Sequence, residues 1–389
     1  MEQMVDYPAR IARVRNEMEE RSISLLFLPV SSTLEYLTGL NRDTPNPTED
    51  NRPGDWVSGM YLGVDAGPVI VEPRMGSAHM VQEVEGKDWI ERLYVLGEPE
   101  DYSGVLTRFV KELRGDRGGS IALGERTWSK TAIDMLAAAP GVELVNAHDF
   151  LAPMRMIKDV DEQVAMRAAV EIVDDAYEDI LAQLQLGMTS REVGWIVDRM
   201  LYARGADGVS FHTSVYIGGE ASGPGTIFDN TSRRVIGRNC TVAFDFGAIL
   251  NGYCSDFGRT VFIGEPTDER REIYDLVMRA QAAAIAEMKS GQITAAQLDR
   301  VARSIIEDAG RGEAFIHRLG HAIGKDVHEP PFLLEADETV LQTGMFFTIE
   351  PSIVMDDGAF IRVEDVVMVT ESGGDNLNRT GHELRVLDL

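Results

Sequence analysis

Thr241 to Gly264 reads TVAFDFGAILNGYCSDFGRTVFIG, and in this mostly apolar stretch stand two isolated carboxylates, Asp245 and Asp256. Asn251-Gly252 is a preferred dipeptide for a two-residue hairpin turn, and the flanking runs alternate as paired strands do. With those residues at the centre of the turn, Leu250 faces Tyr253, Gly247 faces Asp256 and Asp245 faces Gly258. The two carboxylates then lie diagonally on one face, roughly 7–8 Å apart at the backbone, near enough to reach a shared cation cluster. Like charges on such a face repel and lose hydration, so a positive partner is expected. A solvated face on a very acidic chain is the plainer account of the hairpin alone.

A second stretch, HRLGHAIGKDVHEPP, places His317, His321 and His328 together in a chain with seven histidines. Imidazole binds borderline metal ions and moves protons near neutrality, so one histidine here suits a ligand and another an acid or base. Gly320 and Gly324 let the backbone bend around a site, and Pro330-Pro331 ends the segment. Two further acids interrupt apolar runs: Glu350, after Met345 to Ile349, and Glu364 in AFIRVEDVVMVT. Strand alternation puts Arg362 and Glu364 on one face, so either an ion pair with Arg362 or a cation accounts for Glu364. Asp245, Asp256, His321, Glu350 and Glu364 together offer one imidazole and four hard oxygen donors. That set suits a two-metal cluster with bridging carboxylates better than a closed structural zinc site.

The elements that must carry these residues form an α/β pattern. At 389 residues, two domains are expected. The apolar positions of Pro8 to Arg21 recur at helical spacing. Strand-like runs follow at Ser24 to Val30, Gly59 to Val64, Pro68 to Glu72, Leu93 to Leu96 and Ile121 to Leu123, with helical stretches at Val105 to Leu113 and Lys130 to Ala139. Asn41 to Asp55, with three prolines, reads as a long loop. A long helix is expected over Val160 to Leu186, and a strand over Val209 to Ile217 that contains His212. The charged segment Arg155 to Asp161 marks the junction, giving domains 1–157 and 158–389. In the second, Thr189-x-x-Glu192 and Thr294-x-x-Gln297 each form a helix-opening capping box about a hundred residues apart, which points to an internally duplicated α/β unit.

Composition narrows the function. With 64 acidic against 37 basic side chains, the formal charge of −27 repels phosphate backbones and anionic lipid surfaces, so neither nucleic acid nor membrane is an expected partner. No apolar run reaches the roughly 18 residues of a membrane span. The start, MEQMVDYPAR, lacks a signal-peptide pattern, and Cys240 and Cys254 are too few for a disulfide framework or a thiolate zinc site, so a cytoplasmic setting is expected.

The motifs together resemble the pita-bread metallopeptidases (peptidase family M24), which include methionine aminopeptidase, Xaa-Pro dipeptidase (prolidase), aminopeptidase P and the creatinase-like amidinohydrolases. The catalytic half carries D-x-G-x-x-x-x-G-Y-x-S-D at Asp245 to Asp256, H-x-x-G-H-x-x-G-x-x-x-H-E at His317 to Glu329, T-I-E-P at Thr348 to Pro351 and R-V-E-D at Arg362 to Asp365. Arg10 to Gly39 and LAPMRMIKDVDEQVAMRAA are similar to the creatinase-type N-terminal domain and its junction. The resemblance implies an α+β fold: a creatinase-type α/β N-terminal domain, then a pita-bread catalytic domain of duplicated α/β units around a curved antiparallel sheet. It implies two divalent ions (Mn, Co, Zn or Fe) on Asp245, Asp256, His321, Glu350 and Glu364, with Asp256 and Glu364 bridging. It also implies His328 at the scissile carbonyl, Glu350 helping to take a proton from the attacking water that bridges the metals, Arg362 orienting substrate, and a homodimer whose Asn41 to Asp55 loop helps close the partner's site.

The implied activity is hydrolysis of the peptide bond preceding proline, acting on a small peptide. The chain also departs from the pattern. The stretch after Ala221-Ser222-Gly223-Pro224 lacks the pocket histidine of the family's peptidases, Gly258 replaces the first Thr of S-D-x-T-R-T, and Ala322 follows His321 where the family has Gly. Asp229, His212 and His317 are the candidates to meet the substrate instead. The gap leaves open a non-peptide C–N hydrolase of a small metabolite, creatinase-like or ectoine-hydrolase-like. A non-catalytic binding protein that retains the fold is the reading from another class.

Overall fold

Ile23–Leu28 (β1), sequence ISLLFL, is buried along its whole length, as a strand covered by helices on both faces must be. It sits at the middle of a mixed sheet in the computed structural model, which describes residues 5–42, 52–220 and 233–389. The other strands are Gly59–Gly63 (β2), Val69–Pro73 (β3), Arg92–Leu96 (β4), Ser120–Leu123 (β5) and Leu144–Asn146 (β6), in the order β4-β3-β2-β1-β5-β6. Pairs β1–β2 and β2–β3 are antiparallel, and the others are parallel. Around the sheet lie Tyr7–Glu20 (α1), Ser32–Thr38 (α2), Ser77–Val84 (α3), Tyr102–Arg114 (α4), Ser129–Ala138 (α5) and His148–Met156 (α6). One apolar cluster gathers Ile11, Val14 and Met18 of α1 with Leu26 and Leu28; a second gathers Leu25 and Phe27 with Leu106, Phe109 and Val110 of α4.

The chain divides into two units between Met154 and Arg155. In the second, Asp159 caps Val160–Leu181 (α7). That helix stops short of Leu186, the end read from periodicity. Ser190–Ala203 (α8) and, after several strands, Ala295–Asp308 (α10) both open on the expected capping boxes, Thr189 with Glu192 and Thr294 with Gln297. The likeness continues in the backbone. Gly187 and Gly291 both have positive φ, and isolated antiparallel bridges join Thr189 to Val235 and Thr294 to Val340.

Between these helices run Gly208–Val209 (β7), Ser214–Gly219 (β8), Cys240–Phe246 (β9), Ala248–Leu250 (β10), Tyr253–Cys254 (β11), Phe257–Ile263 (β12) and the helix Asp268–Glu287 (α9). The single strand expected over Val209 to Ile217 is two, because β7 pairs with β10 in one sheet while β8 pairs with β9 in another. Gly320–Ala322 (β13), Glu329–Leu333 (β14), Phe346–Ile349 (β15), Ser352–Val354 (β16), Phe360–Arg362 (β17), Asp365–Val369 (β18), Gly374–Asn376 (β19) and Arg385–Leu387 (β20) complete the unit. Two half-sheets result, β20-β12-β9-β8 and β14-β13-β15-β18-β19, with α7 and α8 packed on the first and α9 and α10 on the second. They meet at an antiparallel bridge between Gly258 and Glu364. Among the described residues no helix is long and apolar enough to cross a membrane.

The two caps give a direct test of the duplicated helix starts. Replacing either Thr189 or Thr294 by Ala should cost about 1 kcal/mol. Calorimetry should read this as a fall in Tm of a few °C. An unchanged Tm for both variants would mean that the boxes contribute nothing.

Candidate metal centre and active site

The hairpin register sets the first two acids. Asn251 (φ 51°) and Gly252 (φ 75°) both take the left-handed conformation that a tight two-residue hairpin turn requires, and Leu250 pairs with Tyr253. Further along, Phe246 pairs with Phe257 and Asp245 with Gly258, so one register runs through the hairpin although its tip and base lie in different sheets. Asp256 precedes β12 and is buried. Gly258 lets Glu364 come close here: a Cβ would stand 2.8 Å from Glu364 Cβ and Oε2, so a larger residue at this position would require Glu364 to shift. This close approach carries Glu364 over the hairpin. The strand expected to run unbroken through Arg362 and Glu364 is interrupted there, β17 pairing with β16 and β18 with β15, while Glu364 itself bridges to Gly258.

His321 and Glu350 arrive from the second half-sheet. His321 Nε2 lies 3.5 Å from both Asp256 Oδ2 and Glu350 Oε1. Its Nδ1 lies 3.1 Å from the Ala322 carbonyl, which can only accept, so Nδ1 carries the proton and Nε2 presents a lone pair to carboxylate oxygens. Unless a cation or a carboxyl proton intervenes, that contact is repulsive. Ligand atoms of Asp256, His321 and Glu364 lie within 4.8 Å of one another. Arg362 is the compensating cation, at 2.7 Å from Asp245 Oδ2, 3.0 Å from Glu350 Oε2 and 3.5 Å from Glu364 Oε2. Of the two alternatives for Glu364, the ion pair with Arg362 is formed, within an acidic cluster that Arg362 shares among three carboxylates.

The electrostatics are lopsided. Burial, with repulsion from Glu350, holds Asp256 well above the usual carboxylate range, and burial with Asp256 and Glu350 does the same to Glu364. Burial pushes Asp245 up to about 7 even with Arg362 beside it. Glu350 alone is lowered: burial raises it, but Arg362 and His321 outweigh that. Asp256 Oδ1 is buried without a hydrogen-bond partner among the described residues. A buried carboxylate oxygen left unpaired, neighbours of like charge and an imidazole lone pair aimed inward fit divalent cations held by Asp245, Asp256, His321, Glu350 and Glu364.

The remaining candidates fall at different places. His317, half-buried, lies 2.6 Å through Nδ1 from the Arg318 carbonyl, leaving Nε2 to accept from Ser352 Oγ at 2.5 Å and Arg362 Nη2 at 3.2 Å. His328 stands edge-on to His321 with ring centroids 4.2 Å apart, on a residue partly open to solvent. Partial burial, with His321 and Arg318 nearby, pushes its pKa down to about 4, so it is neutral at pH 7. His212 is exposed between β7 and β8, with no side-chain hydrogen bond or ion pair to the cluster among the described residues. Asp229 and the stretch where the pocket histidine is missing lie outside the described residues, as does the 43–51 part of the long loop. Sequence reasoning missed Arg318, which adds positive potential at His321, His328 and Glu350, and Ser352, which holds His317. A basic residue within the histidine motif was the available signal for the first. Ser352 had none.

Residues 164–371 match metallopeptidase family M24, and residues 10–157 match the creatinase/prolidase N-terminal domain. The chain belongs to metallopeptidase family M24. It is 32% identical over 378 residues to an Xaa-Pro dipeptidase of Lactobacillus delbrueckii subsp. lactis, covering 96% of this chain and 98% of that one. It is 37% identical over 242 residues, 62% of this chain and 68% of the other, to an Xaa-Pro dipeptidase of Pyrococcus furiosus. Its fold is similar to that of a prolidase from Thermococcus sibiricus, with a TM-score of 0.87 at 28% identity, covering 99% of this chain and 100% of that one. M24 membership implies the use of divalent metal ions, in agreement with the donor set above.

The crowding predicts an unusual stability profile for this M24 chain. A carboxyl raised in the fold binds its proton more tightly folded than unfolded, so its ionisation costs stability progressively as pH climbs above the ordinary carboxylate value of about 4. Asp256→Asn should therefore make the metal-depleted protein more stable than wild type at pH 8, by on the order of 1 kcal/mol or more. The gap should close as pH falls toward 4. The same variant should lose the rise in Tm that added metal gives wild type. A metal-depleted variant no more stable than wild type at pH 8 would contradict this account of the cluster.

Proposed function

We propose that this chain is an Xaa-Pro dipeptidase that hydrolyses the peptide bond preceding proline, using two divalent ions, Mn, Co, Zn or Fe, held by Asp245, Asp256, His321, Glu350 and Glu364. The observation that carries the reading is that ligand atoms of Asp256, His321 and Glu364 lie within 4.8 Å of one another, with Glu350 3.5 Å from the same imidazole and Asp245 joined to the cluster through Arg362, in a chain similar along nearly its full length to an Xaa-Pro dipeptidase. When bound, such ions polarise a carbonyl oxygen and lower the pKa of a water molecule to near neutrality. Glu350, the carboxyl of the set whose pKa is lowered, is ionised at neutral pH and takes the proton of the attacking water at a carboxylate oxygen. His328, neutral at pH 7, donates an N–H hydrogen bond to the developing charge on the scissile carbonyl. Arg362, with His317 against its Nη2, orients the substrate.

Proline release from Xaa-Pro dipeptides, assayed with each metal beside a panel of cyclic amidines, tests the activity. Metal-dependent release of proline that chelation abolishes is expected, and hydrolysis of the amidines alone would overturn the reading. Elemental analysis of the metal-supplemented protein should give two ions per chain; one or none counts against a dinuclear site. His328→Ala should keep that content and lower kcat by about 10²- to 10³-fold, the range for one lost donor to a developing oxyanion. If metal is lost instead, His328 is a ligand.

A cytoplasmic homodimer completes the reading. Its support is the family resemblance, together with Cys240 and Cys254, which are free and buried. A monomer by mass measurement at micromolar concentration would remove both the dimer and the role of the Asn41 to Asp55 loop in closing a partner's site.

A further inference from the structure

His328 has no hydrogen bond to its ring among the described residues, so its place beside His321 depends on the backbone that carries it. That backbone is anchored one residue later. Glu329, 4% exposed, takes an ion pair from Arg155 on one oxygen and, on the other, from Lys158 Nζ at 3.1 Å. The Asp326 backbone N–H donates to it at 3.1 Å, and Arg155 also reaches Asp326 Oδ2 at 2.9 Å. Gly324, at the other end of the loop, has no room for a Cβ, which would stand 2.9 Å from both Glu329 carboxylate oxygens and from Lys158 Cε. Its carbonyl accepts from the Cys254 backbone N–H at 2.8 Å, and Lys325 Nζ lies 4.4 Å from the centre of the Tyr253 ring. Loop 324–329 is therefore pinned on one side by buried charges and on the other by the strand that leads into Asp256.

We propose that Arg155 and Lys158 are positioning residues for His328, acting through Glu329 to fix the 324–329 loop. The proposal rests on the reading of His328 as the group at the scissile carbonyl. A buried ammonium and a buried guanidinium on one buried carboxylate are a poor device for stability alone, since apolar side chains of similar volume commonly do as well or better. What such a cluster supplies is registry. Each ionic partner accepts one geometry of the next, and a rigid loop matters most where a displacement of about 1 Å costs about 10²-fold in rate.

A double-mutant cycle on the full-length, metal-loaded enzyme tests this with Lys158→Met, His328→Ala and the double variant, reading kcat, KM, metal content and hydrogen exchange of the 324–329 peptide. Lys158→Met should lower kcat at least about 10-fold, leave KM within about two-fold and metal content unchanged, and speed exchange in that peptide. The double variant should be no slower than His328→Ala alone. Losses that multiply in the double variant, or wild-type kcat in Lys158→Met, overturn the positioning role. Wild-type kcat in His328→Ala instead removes the reading of His328 itself, and the proposal with it. If Lys158→Met does not yield folded protein, the charge-balanced Lys158→Met/Asp326→Asn variant takes its place with the same expected and overturning results.

Discussion

Mutual repulsion among buried carboxylates is the constraint on which the catalytic unit is organised. Asp245, Asp256, Glu350 and Glu364 meet where two half-sheets join, and three of the four are held above their ordinary pKa range. No local preference would bring them together. They are carried there by long-range pairing, β9 on β12 and β15 on β18, with the Gly258–Glu364 bridge closing the gap. The opposing free energy comes from apolar packing directly beside them. Phe246 and Phe257 are cross-strand partners with ring centroids 5.2 Å apart, and Tyr177 of α7 packs on Phe257. Each such buried ring contributes a few kcal/mol, enough that several hold a repulsive cluster in place.

Two adjacent acids show how environment separates structural from functional roles. Asp365 is as buried as Glu364, yet burial is outweighed by Arg259, and with His382 it brings Asp365 down to about 2. Its oxygens are met by Arg259 and His382 at 2.6 Å and by Gln281 and Asn376 at 3.0 Å. That carboxylate is satisfied within the fold. Glu364, one residue earlier, faces other acids and one shared arginine, and is left for something from outside to complete. The histidines obey the same logic: a backbone carbonyl accepts a hydrogen bond from the Nδ1–H of His321 and of His317, so each turns the Nε2 lone pair inward.

Much of this was legible in the residues. Asn251-Gly252 defined the turn, and from it the facing of Asp245 and Gly258 followed by counting. The candidate ligands stood out because acids interrupted apolar runs and three of the seven histidines clustered in one stretch. What could not be read was sheet membership. Alternation reports which side a residue faces but not which strand it pairs with, so the breaks at 210–213 and at Val363–Glu364 were invisible. The helix α3 was missed because it is eight residues long and only Met80 and Val84 of it pack, partly buried, against the core; β6 is only three residues long. Glu329 had no assigned role because its partners, Arg155 and Lys158, lie 174 and 171 residues away in sequence.

A repulsive cluster of this kind is useful to the protein only if cations fill it. Anomalous diffraction from crystals soaked in Mn²⁺ would locate the ions directly. Two adjacent peaks about 3.5–4 Å apart, enclosed by Asp245, Asp256, His321, Glu350 and Glu364, are the predicted result. Density at a different site, or an empty cluster with Arg362 still paired to three carboxylates in a crystal that has taken up Mn²⁺ elsewhere, would contradict it.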